Sequence, residues 1–564
     1  MIKVKKSWLM MATMFALPAT VAAQATLLDG ANVDVSAEQE LAGASQSKKQ
    51  AAGYIGQMSK AVIQSGNYER LVNGAATREA FATSSFAADA DAAELANVTT
   101  AIKFWHGVAL DTVALDHTPA GAEGAPVNQG GPTRTSRALA MVQIAVFEAL
   151  NAFDGKYHSY VKGVNAKRYK GANPEATVAA AAYEALRKLY PGQKARLKSI
   201  IDEEMDRIGQ TVDARGIKMS WGLGEKAADR IAKKRRNDRS NKAEPEFGHG
   251  GKVGSGKKKY GGGKINDGST FPGSWTPDPN TPSTSGEANL ALGAYWGDVK
   301  PFFMKDGDQF RAPVPPALDS QEYADSYNEV ASLGGAQDNV ATPSTSTDAT
   351  RFIGNYWGYD GVPLIGVPPR IYNQIAIQVA DTRISDPVEL SRYLAMVNTV
   401  MADSAIAAWD SKFYYNFWRP VTGVRTDDGN DFTVTDTTWN PVGVSVINTT
   451  EAIRPTPPFP AYPSGHAAFG GSTFEVMRDF FGDNTSFTFV SDEFNGEGVD
   501  PFFPNVPRPF VPVRFETLTD AQIENGVSRV YNGVHWNFDD TAGQEMGVNV
   551  ASYLLNNTKA FSEK

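Results

Sequence analysis

Two cations lie among aromatic residues in the stretch WDSKFYYNFWRP, residues 409–420. Lys412 and Arg419 are seven residues apart, almost two helical turns, so we expect both on one helix face, with Pro420 ending the helix. Two isolated cations on a helix more often form a solvated charged stripe. Here aromatic side chains surround them nearly all round, which predicts a buried segment. Because buried cations require an anionic partner, the stretch favours an anion-binding site.

A histidine follows Pro-Ser-Gly at the start of an apolar helical run, PSGHAAFGG. Ser464 is suited to cap this helix, Gly465 lets an anion approach the backbone, and the helix continues from Ala467. The free amide groups of a helix N-terminus bind anions, so His466 is placed to hydrogen-bond a bound anion. A lone histidine is more often a satisfied core residue, but this capped arrangement is less ordinary.

A second histidine lies in SRVYNGVHWNFDD, residues 528–540. Arg529 and His535 are six residues apart, but the intervening Asn-Gly pair predicts a turn that lets them converge from two elements. Asp539 follows His535 by four residues, and we expect it to accept the proton of one ring nitrogen. The other nitrogen is then available as a nucleophile or a ligand. The alternative is a surface His–Asp pair worth a few tenths of a kcal/mol.

Together the three clusters supply three cations, a helix N-terminus and two histidines. This combination predicts a pocket for a tetrahedral oxyanion carrying about three negative charges, with a nucleophilic nitrogen and an acid/base beside it. A zinc site is disfavoured because the chain has no cysteine and no HExxH motif. A serine hydrolase is disfavoured because Ser464 does not lie in a Gly-x-Ser-x-Gly elbow.

Helical periodicity must position these clusters. Apolar residues recur every three or four positions over 136–153 and 175–190, and again over 386–418. Alternating strand patterns are scarce. We therefore predict an all-α, mainly helical fold with long loops and few short strands. The Gly- and Lys-rich stretch 247–269 indicates a long surface excursion.

The chain has 564 residues and a formal net charge of −9, which argues against nucleic acid as a partner. Early lysines, an apolar run and small residues predict a signal peptide over 1–25, and hence a secreted or periplasmic protein. No later segment is apolar for long enough to span a membrane. We predict an Ala-rich extension over 26–98, a helical half with a Gly/Lys/Pro-rich loop over 99–345, and a second helical half carrying the site over 346–564.

In this order, the three clusters resemble the three-part signature shared by vanadium-dependent haloperoxidases and type 2 phosphatidic-acid/acid phosphatases. The matching positions are Lys412-(six)-Arg419-Pro420, Pro463-Ser464-Gly465-His466 and Ser528-Arg529-(five)-His535-(three)-Asp539. Stretches such as YWGYDG, GVPPRIYNQI and PFPAYPSGHAAFGG resemble the vanadium chloroperoxidase branch in particular. A weaker resemblance covers residues 100–550. The segment between the second and third motifs is long for the family, and we interpret NVPRPFVPVRFE as a loop insertion.

The resemblance implies a fold built around four-helix bundles, with orthovanadate as cofactor and His535 as the vanadium ligand. It implies that the vanadate oxygens are held by Lys412, Arg419, Ser464, Gly465 and Arg529. His466 is then the acid/base when hydrogen peroxide binds, and Lys412 polarises the bound peroxide. Asp360, in YWGYDG, matches the family carboxylate that pairs with the last arginine, and Trp409 and Phe459 match the aromatic residues on the halide side.

The implied activity is oxidation of a halide by hydrogen peroxide to hypohalous acid, with an organic acceptor as a further substrate. Phosphate and vanadate share shape and charge, so a secreted acid phosphatase with a phosphohistidine at His535 is the alternative. A third reading is an oxyanion-binding protein without turnover, which needs the cations but not His466 or the His535–Asp539 pair.

Overall fold

The computed structural model describes residues 90–118, 127–248, 270–281, 289–449, 454–504 and 506–564. The predicted signal peptide over 1–25 lies outside the described residues and stays a prediction. The same holds for nearly all of the predicted extension and for most of the Gly- and Lys-rich stretch. The first described helix begins at Ala90, eight residues before the boundary that we predicted at residue 98.

Thirteen α-helices and two β-strands make up the described part, so the mainly helical fold is confirmed. In chain order they are α1 (Ala90–Asp116), α2 (Gly131–Asp154), α3 (Pro174–Leu189), α4 (Lys194–Ile208), α5 (Ala214–Arg235), α6 (Gln321–Leu333), α7 (Asp348–Tyr356), α8 (Pro369–Asp381), α9 (Pro387–Tyr415), α10 (Pro420–Gly423), α11 (Gly465–Phe481), β1 (Phe487–Asn495), β2 (Phe510–Phe515), α12 (Leu518–Tyr531) and α13 (Asn537–Asn557).

The helices pack in two groups that share one apolar core. In the first group, α3 contacts α1, α2, α4 and α5. In the second group, α11 packs on α9, α12 and α13. Helix α9 also packs along α2, and a continuous cluster of buried side chains runs through both groups. The long helix α9 is therefore the element that joins the two groups, and its C-terminal turns carry Lys412, the first cation of the first motif.

Helix α9 ends earlier than we predicted. Its N-terminus is capped by Asp386, whose side chain accepts the amide hydrogens of the first turn. At its C-terminus Asn416 adopts a left-handed conformation, with φ of 50°, and stops the helix after Tyr415. Arg419 therefore does not share a helix with Lys412, and Pro420 begins α10 instead of ending α9. The expectation of one helix face was wrong, although both cations reach the same site.

Close contact between α11 and α13 brings the second and third motifs together. A Cβ atom on Gly543 would lie 2.6 Å from the carbonyl oxygen of Ser464, the residue that caps α11. A Cβ atom on Gly547 would clash with the α11 backbone one turn further along. Only glycine permits this approach, because helix axes come this close where no side chain intervenes. The segment before α13, which carries His535, is thereby held against the N-terminus of α11.

The segment that we interpreted as a loop insertion is part of a β-hairpin. Strands β1 and β2 pair antiparallel, with Phe487 opposite Phe515 and Val490 opposite Pro512, and the register shifts between Val490 and Asn495. The hairpin lies against α7, α8 and α12.

Among the helices described, none combines the length and the apolar character needed to cross a membrane.

Candidate active site

A narrow pocket lies at the N-terminus of α11, where the three motifs meet. Its walls come from the start of α2, the segment between α7 and α8, the C-terminal part of α9, the start of α11 with the segment before it, and the end of α12 with the segment after it. The lining residues are Pro132, Asp360, Val367, Pro368, Trp409, Pro457, Phe459, Gly465, His466, Phe469, Arg529 and His535. Three of the predicted site residues, Lys412, Arg419 and Ser464, lie behind this lining.

His535 is held with one ring nitrogen available to a ligand. The predicted turn is present: α12 ends at Tyr531, and Gly533 takes φ of 67° before His535. The Nδ1 atom of His535 lies 2.7 Å from Oδ2 of Asp539, and its Nε2 atom lies 3.2 Å from Nη1 of Arg419. Because a guanidinium only donates, Nε2 is the acceptor and Nδ1 carries the proton. The lone pair of Nε2 therefore faces the cationic side.

The pKa shifts at this pair indicate that the imidazole of His535 is neutral. Burial, and after it the cations Arg419, Lys412 and Arg529, hold the pKa of His535 well below its ordinary value. Burial raises the pKa of Asp539 to about 8, although Lys412 opposes this shift. The contact between His535 and Asp539 is therefore a hydrogen bond from a neutral imidazole, and not an ion pair. A neutral imidazole is the form that acts as a nucleophile or ligand.

Arg529 is clamped by a buried carboxylate. Its Nη2 donates to Oδ1 of Asp360 over 2.6 Å, and its Nη1 lies 3.4 Å from Oδ2. The backbone N–H of Ser445 also donates to Asp360, over 2.9 Å. Within the described part of the chain, Nε of Arg529 is buried with no hydrogen-bond partner. A guanidinium with a buried free donor at a pocket wall fits an oxyanion ligand.

Lys412 and Arg419 support the pocket from behind. Nζ of Lys412 donates to the carbonyl oxygens of Pro460, Ala461 and Pro463, over 2.9, 2.8 and 2.6 Å. Nε of Arg419 donates to the Phe459 carbonyl over 3.0 Å. Both cations also face the Phe459 ring, at 5.0 and 4.9 Å from its centroid. They therefore fix the backbone that leads into the motif with His466 and place positive charge behind it.

The N-terminus of α11 forms as predicted. The Ser464 side chain accepts the N–H of Ala467 over 3.4 Å, so it caps the helix. His466 is buried, and its Nε2 lies 2.8 Å from the carbonyl oxygen of Gly358. A carbonyl only accepts, so Nε2 carries the proton and Nδ1 has the lone pair. Burial, and next the charge of Arg529, keep the pKa of His466 well below its usual range.

The aromatic wall consists of Trp409 and Phe459, whose ring centroids are 4.8 Å apart. The indole N–H of Trp409 donates to the Leu292 carbonyl over 2.9 Å, so the indole presents carbon atoms to the pocket. A Cβ atom on Gly465 would lie 3.3 Å from the Trp409 ring. A side chain at this position would press on the aromatic wall, so glycine suits the packing of that wall.

These residues fit a vanadate-sized oxyanion. Lys412, Arg419 and Arg529 are each fully buried, and the Asp360 carboxylate is hydrogen-bonded to Arg529. Burial, with Arg419 as the next cause, lowers the pKa of Lys412 well below its usual value, as expected where cations exceed anions. A bound anion reverses that imbalance. The site therefore combines a positive potential with the Nε2 lone pair of His535 as a donor.

Comparisons with known proteins agree with this geometry. Residues 392–564 match the family model described as the VCPO second helical-bundle domain. A vanadium chloroperoxidase from Curvularia inaequalis is 29% identical over 512 residues, which cover 79% of this chain and 80% of that protein. This chain is similar to the vanadium haloperoxidases.

Solved structures of bacterial haloperoxidases share the fold. A bacterial vanadium-dependent iodoperoxidase superposes with a TM-score of 0.60 at 23% identity, covering 82% of this chain and 97% of its own. An apo-type bacterial vanadium-dependent chloroperoxidase gives 0.54 at 17% identity, covering 75% and 92%. The predicted resemblance to the vanadium haloperoxidases is confirmed.

Sequence reasoning missed part of this pocket. Its apolar lining includes Pro132, Pro457 and Phe469, which carry no titratable group and so gave no chemical signal. Val367 and Pro368 belong to the GVPPRIYNQI stretch, which we had used for the resemblance without assigning it to the site. Pro132 begins α2, so the first helix group also contributes to the pocket.

Proposed function

We propose that the protein is a vanadate-dependent haloperoxidase that oxidises a halide with hydrogen peroxide to hypohalous acid. The observation that carries the proposal is the Nε2 lone pair of His535 among three buried cations. The relatives that share the fold are named as chloroperoxidases and an iodoperoxidase. Which halide this protein prefers is a question for the assay below.

In this proposal His535 holds vanadate through Nε2, and its Nδ1–H stays bonded to Asp539. Arg529 and the backbone amide of Gly465 face the anion from the pocket wall. Arg419, Lys412 and the α11 N-terminus, capped by Ser464, add positive charge from behind. When bound, vanadate supplies a Lewis-acidic centre that activates hydrogen peroxide towards halide.

His466 handles the proton that the reaction needs. One hydrogen peroxide, one halide ion and one proton give one hypohalous acid and one water. The unprotonated Nδ1 of His466 can take that proton. Burial is the main cause that lowers the pKa of His466, and an anion bound beside Arg529 offsets the second cause, the charge of Arg529. The carbonyl of Gly358 fixes the ring from the other side. Trp409 and Phe459 keep water from the halide side with carbon surface.

One preparation assayed in two ways tests the proposal. With vanadate, hydrogen peroxide and each halide in turn, halogenation of a diketone reporter is expected. Hydrolysis of a phenyl phosphate ester without vanadate, inhibited when vanadate is added, supports the phosphatase instead. If neither assay shows activity, both the haloperoxidase and the phosphatase proposals are refuted.

The variant His466→Ala separates binding from catalysis. We expect vanadate binding to change little and turnover to fall about 10²- to 10⁴-fold, the usual contribution of a general acid/base. The matched control is His158→Ala, because the backbone of His158 pairs with the C-terminal residues and not with the site. Full activity in His466→Ala contradicts the role assigned to His466.

A further inference from the structure

The β-hairpin supplies a buried carboxylate to the loop that follows α7. Glu493 lies in β1 and is fully buried. Its Oε1 accepts the backbone N–H of Tyr359 over 2.9 Å. A Cβ atom on Gly358 would lie 2.7 Å from the same oxygen, so the carboxylate rests directly on that glycine. The neighbouring Ser491 hydroxyl donates to the Tyr356 carbonyl over 2.6 Å.

This loop touches both sides of the oxyanion pocket. The Gly358 carbonyl meets Nε2 of His466, and the Asp360 carboxylate clamps Arg529. Tyr359, between them, has φ of 46°, a left-handed conformation that a bulky residue seldom adopts. Such a conformation persists where surrounding contacts enforce it, and the bond from Glu493 to the Tyr359 N–H is one such contact.

The second carboxylate oxygen extends the contact to Asp360. Oε2 of Glu493 accepts the Ser445 hydroxyl over 2.6 Å, and the Ser445 backbone N–H donates to Asp360. Arg508 pairs with the same oxygen over 2.8 Å and, through Nη2, with Asp500, also over 2.8 Å. Arg508 lies in the NVPRPFVPVRFE stretch that we had interpreted as an insertion. The hairpin thus brings its own cation to neutralise the buried carboxylate.

We propose that Glu493 is a positioning residue of the oxyanion site. It holds the backbone from Gly358 to Asp360 so that the Gly358 carbonyl orients His466 and the Asp360 carboxylate orients Arg529. Arg508 keeps the buried carboxylate paired. The inference rests on the proposed function for the identity of the oxyanion, and it makes the hairpin part of the cofactor site.

The test replaces Glu493 by glutamine. In Glu493→Gln one amide oxygen can still accept the Tyr359 N–H, but the amide NH₂ cannot accept from Ser445 or Arg508. The apoprotein is titrated with vanadate, and separately with phosphate, and binding is followed by equilibrium dialysis. We expect vanadate affinity to fall about 10-fold or more, the usual effect of losing a residue that orients the ligands of a bound group. Turnover at saturating vanadate should fall as well, since the loop that carries the Gly358 carbonyl is then held by the Tyr359 bond without the link to Ser445.

Two controls separate positioning from general stability. Glu497→Gln makes the same change at an exposed position on the same hairpin and should leave affinity, turnover and melting temperature unchanged. Ile201→Ala opens a cavity in α4, in the other helix group, and should lower the melting temperature while leaving vanadate affinity unchanged. A purely structural role for Glu493 predicts that Glu493→Gln behaves like Ile201→Ala, and that result overturns the proposal.

A milder variant covers the case in which Glu493→Gln does not fold. Ser445→Ala removes the hydroxyl that links Glu493 to the Asp360 side and leaves the Tyr359 bond in place. We expect vanadate affinity about 3- to 10-fold below wild type, and an unchanged affinity overturns the proposal. If wild-type protein binds vanadate but oxidises no halide, the proposed activity is refuted, but the inference about Glu493 is not. Wild-type protein that binds neither oxyanion overturns both.

Discussion

Replacing Lys412 by methionine separates two roles that the site combines in one side chain. Nζ of Lys412 donates to the carbonyl oxygens of Pro460, Ala461 and Pro463, so it anchors the segment that leads to His466. It is also one of the three buried cations at the site, and with Arg419 it lies behind the pocket lining. Methionine has a similar length and no charge, so Lys412→Met removes both contributions with little change in volume.

The size of the effect follows from these contacts. Each buried carbonyl left without a donor costs about 1–3 kcal/mol, and removing a buried ammonium returns several kcal/mol of desolvation. We therefore expect the free energy of unfolding to fall by about 2 kcal/mol without vanadate. Loss of one cation should weaken vanadate binding about 10-fold, or about 1.4 kcal/mol. At vanadate 100 times the wild-type Kd, the ligand stabilises wild type by about 2.7 kcal/mol and the variant by about 1.4 kcal/mol.

Urea unfolding with and without vanadate measures both numbers. The matched control is Lys305→Met, an exposed lysine for which neither measurement should change. If Lys412→Met is as stable as wild type without vanadate, the three carbonyl bonds do not anchor the segment. If vanadate stabilises both proteins equally, Lys412 does not contribute to anion binding, and the electrostatic reasoning fails.

Three further predictions concern packing, pH and competition. Gly547→Ala should lower the free energy of unfolding by about 3 kcal/mol, because the new methyl group meets the α11 backbone; calorimetry that finds wild-type stability contradicts this. Burial lowers the pKa of His117 to about 4, and its Nε2 accepts the Gly131 N–H over 3.0 Å. The unfolded chain then binds a proton between pH 6.5 and 4 that the folded chain does not, so this contribution is present above pH 6.5 and lost as the pH falls. Over that pH range the free energy of unfolding of wild type should fall by about 3 kcal/mol relative to that of His117→Gln, as measured by denaturant titration. A difference between the two proteins that does not change with pH would refute this role for His117. Phosphate should compete with vanadate for the apoprotein, because both are tetrahedral oxyanions; additive binding in dialysis would place them at separate sites.

Several parts of the site were readable from the sequence because they depend on local spacing. The capped start of α11 at Ser464 and the turn at Gly533 follow from residue types within a few positions of one another. The His535–Asp539 hydrogen bond also spans only four residues. The order of the three motifs was enough to indicate the family, and the helical periodicity was enough for the fold class.

The C-terminal end of α9 could not be predicted from local spacing. Asn416 takes a left-handed conformation that its neighbours give no clear signal for, and the backbone then turns so that Arg419 reaches His535. The spacing rule that placed Lys412 and Arg419 on one face assumed an unbroken helix. Both cations still converge, because the loop that follows α9 folds back over the Phe459 ring.

Sequence alone indicated the groups on which the proposed chemistry rests: the cations, the two histidines and the capped start of α11. Tertiary structure alone decided how they are held. Glu493 contacts the Tyr359 backbone from 134 positions away, and Pro132 reaches the pocket from the first helix group. Such contacts depend on how whole helices and the hairpin pack, and packing brings together residues whose separation along the chain carries no periodic signal. The residue types indicate an oxyanion site, and the long-range packing holds its residues in position.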